Sequence, residues 1–137
     1  MKANELRIGN RIYSYLDGFF ESTKEEIVVD PVTMLMVDGV VDDRGIRFEP
    51  IPVTDEWLNR FGFDMRILKV FNQNDKVLEI EFDGTGNEIY QTEICTYQYI
   101  YVDGERECDK VNYLSINHIR FVHQLQNLYF ALTGEEL

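Results

Sequence analysis

The amino-acid sequence predicts an α+β fold in which antiparallel strands predominate and helices pack on the sheet. Three observations predict it: strand-like segments next to Asp-Gly dipeptides, a short helical pattern near residues 54–61, and a longer one near residues 121–133. The 137 residues suffice for one domain with a proper core and are too few for two. We therefore expect a single domain, 1–137, with an N-terminal β subdomain (1–50) and a C-terminal α+β part (51–137) as the alternative division.

The predicted sheet is built from hairpins. Asp-Gly is one of the strongest short-range signals for a two-residue hairpin turn, and it occurs at Asp17-Gly18, Asp38-Gly39, Asp83-Gly84 and Asp103-Gly104. The strand-like segments beside these dipeptides are Glu25–Val29, Val32–Val37, Val77–Phe82 and Ile94–Val102. Residues 6–16 add two short predicted strands, interrupted at Gly9-Asn10.

Two of these segments also predict how they lie in the sheet. In Val77–Phe82 the apolar residues alternate with Glu79 and Glu81, which predicts one buried face and one face toward water. The segment Ile94–Val102 has strand-forming residues on both faces, which favours a more central position.

The first helix is predicted from its end signals. Thr54 has the position of an N-cap, and Asp55 and Glu56 follow in the first turn, where the helix dipole favours acidic side chains. Its apolar side is formed by Trp57, Leu58 and Phe61. Gly62 is expected to end this helix.

The C-terminal helix has the clearest pattern in the chain. Its apolar residues fall within an arc of about 120°, the width of a stripe that faces a core. They are Phe121, Val122, Leu125, Leu128, Tyr129 and Leu132. Gly134 follows at the position where a helix commonly ends in a left-handed residue, so the helix is expected to stop there.

Charge and composition restrict the classes of function. With 13 basic and 25 acidic residues the net charge is −12, which argues against a nucleic-acid partner because such binding depends on Lys and Arg. No apolar run is long enough to span a membrane, and the N-terminus has no secretion signal, so we expect a cytoplasmic protein. The acidity is compatible with plain solubility; the alternative is an acidic surface that imitates nucleic acid or binds a basic partner.

Cys95 and Cys108 are predicted to be free thiols. A two-residue turn at Asp103-Gly104 pairs Val102 with Glu105 and places Cys108 opposite Tyr99. Cys95 then lies four residues further along the strand, at about 13 Å, which is beyond the roughly 7 Å that a disulfide can bridge.

No catalytic residue, cofactor or metal is predicted. His118 and His123 are five residues apart, so on a helix they cannot share a metal as an i, i+4 pair does. The loop at residues 83–88 has alternating oxygen ligands, but Glu88 and Ile94 stand where a calcium loop needs Gly and Glu. Enzymatic activity is therefore not expected, although a site assembled from scattered residues remains an alternative.

The side of the C-terminal helix away from its apolar stripe is the candidate contact site. It presents His123, Gln126, Asn127 and Phe130, and residues 122–133 contain no formal charge. A helix face in contact with water usually carries Lys and Glu. Either the helix is buried between the sheet and another segment, or these four residues contact a partner protein.

Two motifs resemble those of a known family. The motifs PIPVTDEWL (50–58) with Phe61-Gly62-Phe63, and VHQLQNLYFALTG (122–134), resemble a family of small proteins from gut Bacteroidales genomes. Leu6–Asn10 is similar as well, so the resemblance covers about a third of the chain. Some members lie near prophages or mobile elements, and the family implies no activity, cofactor or site residue. The hypotheses are therefore a binding or accessory protein acting through protein contacts, an acidic decoy that imitates nucleic acid, or a small enzyme.

Overall fold

The computed structural model describes residues 1–16, 24–39, 45–73, 76–86, 88–116 and 119–137. Their secondary structure, after a 3-10 turn at Ala3–Glu5, consists of β1 (Arg11–Leu16), β2 (Glu25–Val28), α1 (Pro31–Val37), β3 (Ile46–Glu49), α2 (Asp55–Arg60), β4 (Ile67–Gln73), β5 (Lys76–Thr85), β6 (Glu88–Val102), β7 (Glu105–Ser115) and α3 (Val122–Thr133). The strands pair in antiparallel fashion, which confirms the predicted α+β class.

The chain forms two compact units: Met1–Pro52 with Phe121–Leu137, and Val53–Arg120. Each unit has its own antiparallel sheet. The C-terminal segment belongs to the first unit, where Phe121 forms an antiparallel bridge with Pro52. None of the described helices is long and apolar enough to cross a membrane.

The first unit contains a three-stranded sheet in the order β2–β1–β3. Its core is formed by Leu6, Ile12 and Val29, against which partly buried apolar residues pack. These partly buried residues are Ile27, Met34, Val37 and Phe48. Residues 6–8 form a loop and the start of a turn instead of the predicted strand, because the Asn10 side chain accepts a hydrogen bond from the Arg7 backbone N–H (2.7 Å) and closes a turn there.

The segment Val32–Val37 is a helix and not the predicted strand. The Asp30 carboxylate caps it by accepting a hydrogen bond from the Thr33 backbone N–H (2.6 Å), and Pro31 occupies the first helical position, where its missing N–H costs nothing. Asp38-Gly39 consequently ends α1 and forms no hairpin turn there. Asp17-Gly18 lies outside the described residues.

The C-terminal helix confirms its prediction closely. It spans Val122–Thr133 and ends at Gly134, which has a φ of 75° and donates its N–H to the Phe130 carbonyl (2.7 Å). Val122 and Leu125 are fully buried, and the helix contacts β1.

The second unit is a four-stranded meander in the order β4–β5–β6–β7, preceded by α2. The predicted N-cap is confirmed, since the Thr54 hydroxyl accepts a hydrogen bond from the Trp57 backbone N–H (3.4 Å). The core includes Phe63 and Phe82, whose ring centroids are 5.5 Å apart. Strand β6 has a neighbour on each side, which confirms its predicted central position.

The two remaining Asp-Gly dipeptides differ in their roles. Asp103-Gly104 is the predicted hairpin turn: its φ angles are 53° and 81°, Tyr99 pairs with Cys108, and neither cysteine forms a disulfide, as predicted. Asp83-Gly84 instead lies inside β5, at an irregularity of the β5–β6 pairing, so the predicted turn there is wrong. Glycine is required at position 84 because a Cβ atom would overlap with the carbonyl oxygen of Glu88.

Candidate functional site

Five titratable side chains come together on one face of the second sheet. Glu79 and Glu81 lie on β5, and Glu93, Cys95 and Tyr97 lie on β6. The strand register places Glu79 opposite Cys95 and Glu81 opposite Glu93. Residues two apart on a strand share a face, so all five project from the same side. We call this group the polar cluster.

Hydrogen bonds connect the polar cluster across the strands. The Tyr97 hydroxyl donates to Glu81 Oε1, and the Cys95 thiol lies 3.9 Å from Glu93 Oε2. Glu93 Oε1 also accepts from the Gln91 amide (2.7 Å) and the Ser115 hydroxyl (3.4 Å). The polar cluster is therefore an ordered network that extends onto β7.

Burial changes the acidity of two of its members. Glu79 is only 8% exposed, and this burial, followed by the nearby charge of Glu81, raises the pKa of its carboxyl group, although Lys69 acts in the opposite direction. Burial also raises the pKa of the Tyr97 hydroxyl, and its hydrogen bond to Glu81 adds to the effect. The polar cluster thus favours the protonated forms of the Glu79 carboxyl group and the Tyr97 hydroxyl, because ionising a group away from water is costly.

The prediction that Glu79 and Glu81 face water is wrong for Glu79, which is buried, while Glu81 is half-buried. Alternation along a strand shows which residues share a face, but not what the neighbouring strands place beside them. Here β4 places Lys69 and β6 places Cys95 directly opposite Glu79.

The polar cluster contains potential metal ligands that the sequence analysis missed. One ligand atom each from Glu81, Glu93 and Cys95 lies within 4.8 Å of the others. Among the described residues this group supplies three ligand residues, one fewer than a structural zinc site uses. The alternation in β5 and β6 could have shown which residues share a face, but a two-residue turn at Asp83-Gly84 would pair other residues of the two strands than those that the structure pairs.

The structure places the four predicted contact residues of α3 against the N-terminal segment. The Gln126 side chain accepts a hydrogen bond from the Arg11 backbone N–H (2.8 Å) and donates to the Gly9 carbonyl (3.4 Å). The Asn127 amide donates to the Glu5 carbonyl (3.0 Å). The remaining two residues are His123, which is fully buried, and Phe130, whose exposed ring lies 3.6 Å from the guanidinium carbon of Arg7. Of the four residues, His123 and Gln126 are therefore buried within the first unit, and a role of this side of the helix in contacting a partner stays a prediction.

His123 is a buried histidine whose environment favours its neutral form. Its ring stacks on that of Phe121, with centroids 5.9 Å apart. Among the described residues, neither of its ring nitrogens has a hydrogen-bond partner. Burial lowers the pKa of the imidazole, and the charge of Glu5 opposes this shift. His118 lies outside the described residues, so the structure gives no geometry for the histidine pair.

Among the described residues, the β6–β7 hairpin extends beyond the pairing of β6 with β5. The pairing of β5 with β6 ends at Lys76 and Gln98, whereas β6 continues to pair with β7 as far as Val102 and Glu105. Residues 99–102 and 105–108, with the Asp103-Gly104 turn, thus form a two-stranded ribbon, which we call the β6–β7 arm. Its large exposed apolar residues are Ile100, Tyr101 and Val102, with Tyr101 65% exposed.

No protein-family model, curated protein or solved structure matches this chain. The resemblance to the Bacteroidales family therefore stays a prediction, and functional inference rests on the geometry of the two units.

Proposed function

We propose that this chain is a non-enzymatic binding protein of the cytoplasm that acts through protein–protein contacts, with the β6–β7 arm as its binding element. The observation that supports the proposal is the exposure of apolar side chains on both faces of the arm. Tyr101 belongs to one face, and Ile100 and Val102 belong to the other. Exposed apolar residues that lie together mark sites where a partner covers them.

The pairing of the arm also favours a partner. Among the described residues, the arm pairs with no third strand, and a two-stranded ribbon is marginally stable in water. Tyr113 and Leu114, further along β7, are also exposed, at 67% and 61%. An added strand or a cleft that closes over the arm would bury these side chains and satisfy free backbone groups.

The charges of the arm indicate the chemistry of the partner. Asp103, Glu105 and Glu107 surround its apolar residues, and the one basic residue, Arg106, lies over the Tyr99 ring at 3.8 Å. A second copy would bring two chains of net charge −12 together. We therefore infer that the partner is a different protein with an apolar cleft bordered by Lys and Arg.

Site-specific cross-linking in the producing cells tests this proposal. The photoreactive residue p-benzoylphenylalanine replaces Tyr101 in the arm, and a matched control carries it at Val32, which is also exposed. We expect position 101 to capture one specific protein that position 32 does not. Adding Ile100→Asp should reduce the yield about tenfold or more, because losing the burial of such a side chain costs about 1.5–3 kcal/mol. Unchanged thermal unfolding of the Ile100→Asp protein is the folding control.

Three results would overturn the proposal: capture of a second copy, equal products from both positions, or no effect of Ile100→Asp. Duplex DNA added as a competitor separates the proposal from the decoy hypothesis, since only a partner held by imitation of nucleic acid would be displaced. The enzyme hypothesis gains no support from the polar cluster, whose thiol is fully buried and out of reach of a substrate.

A further inference from the structure

A cavity of about 410 Å³ opens in the second unit where β5 begins. All four strands contribute to its wall: Phe71 from β4, Lys76 and Leu78 from β5, Thr96 and Gln98 from β6, and Asn112 from β7. Its volume lies within the range of sites that bind small molecules.

Two β-bulges lie beside this cavity. The β4–β5 register shifts between Lys69 and Phe71, and the β6–β7 register shifts between Thr96 and Tyr97. Bulges bend strands, redirect side chains and are frequent next to functional sites. We therefore attribute the cavity to the bulged pairing of the strands and not to a chance gap between side chains.

The lining combines an apolar wall with polar groups that converge on it. The Phe71 side chain is 46% exposed, and Leu78 pairs directly with it across the strands. Thr96, Gln98 and Asn112 add hydroxyl and amide groups, which can donate or accept hydrogen bonds. A ligand with a flat apolar body and a polar end would satisfy both parts.

Lys76 supplies the positive charge of the cavity lining. Among the described residues, no carboxylate forms an ion pair with its ammonium group. At physiological ionic strength charges beyond about 8 Å are largely screened, so the ammonium group of Lys76 acts more strongly on a ligand held inside the cavity than charges beyond that distance do.

We propose that this cavity binds a small aromatic carboxylate, with the ring against Phe71 and Leu78 and the carboxylate on Lys76. This inference goes beyond the proposed function and is independent of it, since none of these residues belongs to the β6–β7 arm. Its failure would leave the arm proposal unchanged.

Titration with 2-naphthoate, followed by amide NMR shifts of the full chain, tests the inference. The neutral isostere 2-naphthamide is the matched ligand control. We expect saturable shifts at residues 76–78 and 96–98 with 2-naphthoate, and clearly weaker binding of 2-naphthamide. Lys76→Gln should raise the Kd of 2-naphthoate about tenfold and leave that of 2-naphthamide unchanged, because only the carboxylate makes a charge-assisted bond.

Lys69→Gln provides the matched control variant. Lys69 lies on the same sheet, pairs with Glu79 and is not part of the cavity lining, so its replacement should leave the Kd unchanged. The inference would be overturned by shifts located elsewhere, by equal affinity for the two ligands, by equal effects of the two lysine variants, or by no binding at millimolar 2-naphthoate.

Discussion

Glu79 is the residue at which burial and charge conflict most directly. Its carboxyl group is buried between Lys69 on β4 and Cys95 on β6, with Glu81 next to it on the same face. Its pKa is raised, mainly by burial, so the folded state holds the proton more tightly than the unfolded state does. The resulting stabilisation is fully present below the ordinary pKa of 4.5 and is lost as the pH rises through the raised value.

Glu79→Gln is therefore expected to stabilise the protein at neutral pH. Glutamine has the shape of the protonated side chain and carries no charge, so we expect a gain of about 1 kcal/mol in the free energy of unfolding. The gain should disappear below pH 4.5. Urea unfolding at several pH values measures both effects.

Glu107→Gln is the control for this prediction. Glu107 is exposed on β7, so its replacement should have little effect at any of these pH values. Destabilisation by Glu79→Gln at neutral pH would show that the charged form of Glu79 is the one that the fold favours.

At the scale of elements, α3 is predicted by its apolar pattern, whereas α1 is determined by the residues that cap it. The apolar stripe of α3 and Gly134 predicted its bounds, because one face of the helix enters a core and its end needs a positive φ. Val32–Val37 contains strand-forming residues, but the cap formed by Asp30 and Pro31 determines its conformation. A specific capping interaction thus outweighs a general β propensity.

Gln126→Ala tests how α3 is held in the first unit. The change removes the bond to the Gly9 carbonyl and leaves the Arg11 backbone N–H without its acceptor. We expect a loss of about 2 kcal/mol in the free energy of unfolding, as is typical for a buried donor that loses its partner. Urea unfolding at constant pH gives the value.

Gln124→Ala is the matched control for Gln126→Ala. The Gln124 side chain accepts a hydrogen bond from the Phe121 backbone N–H (3.1 Å) at the half-buried start of the helix, and losing a partly exposed bond of this kind should cost about 1 kcal/mol or less. Equal effects of the two replacements would contradict the role we assign to Gln126.

At the scale of the whole molecule, the net charge of −12 acts against the folded state through repulsion among the acidic residues. Ion pairs such as Arg7–Glu136 and Arg11–Glu26 are partly exposed, and pairs of this kind contribute little. Repulsion should therefore dominate the response to salt.

Raising the ionic strength from low to physiological values is expected to increase the free energy of unfolding at neutral pH by on the order of 1 kcal/mol. Thermal or urea unfolding in a NaCl series measures this. The same series near pH 4.5, the isoelectric point given by the sequence, is the control, since the net charge and the salt effect should both be small there. A loss of stability with added salt at neutral pH would mean that the ion pairs outweigh the repulsion.

The sequence by itself determined those features that depend on neighbouring residues. These include α2 with its Thr54 cap, the stripe and end of α3, the turn at Asp103-Gly104 and the central position of β6. Each follows from local backbone preferences or from a repeating apolar pattern, which short segments carry within themselves.

Only the tertiary structure decided the features that depend on residues distant in sequence. The bridge from Pro52 to Phe121 places α3 in the first unit, and the β5–β6 register assembles the polar cluster. The hydrogen bonds of Gln126 with Gly9 and Arg11 connect α3 to the N-terminal segment. Pairings of this kind are fixed by the packing of the folded chain, because no local pattern specifies which distant segment a strand or helix will meet.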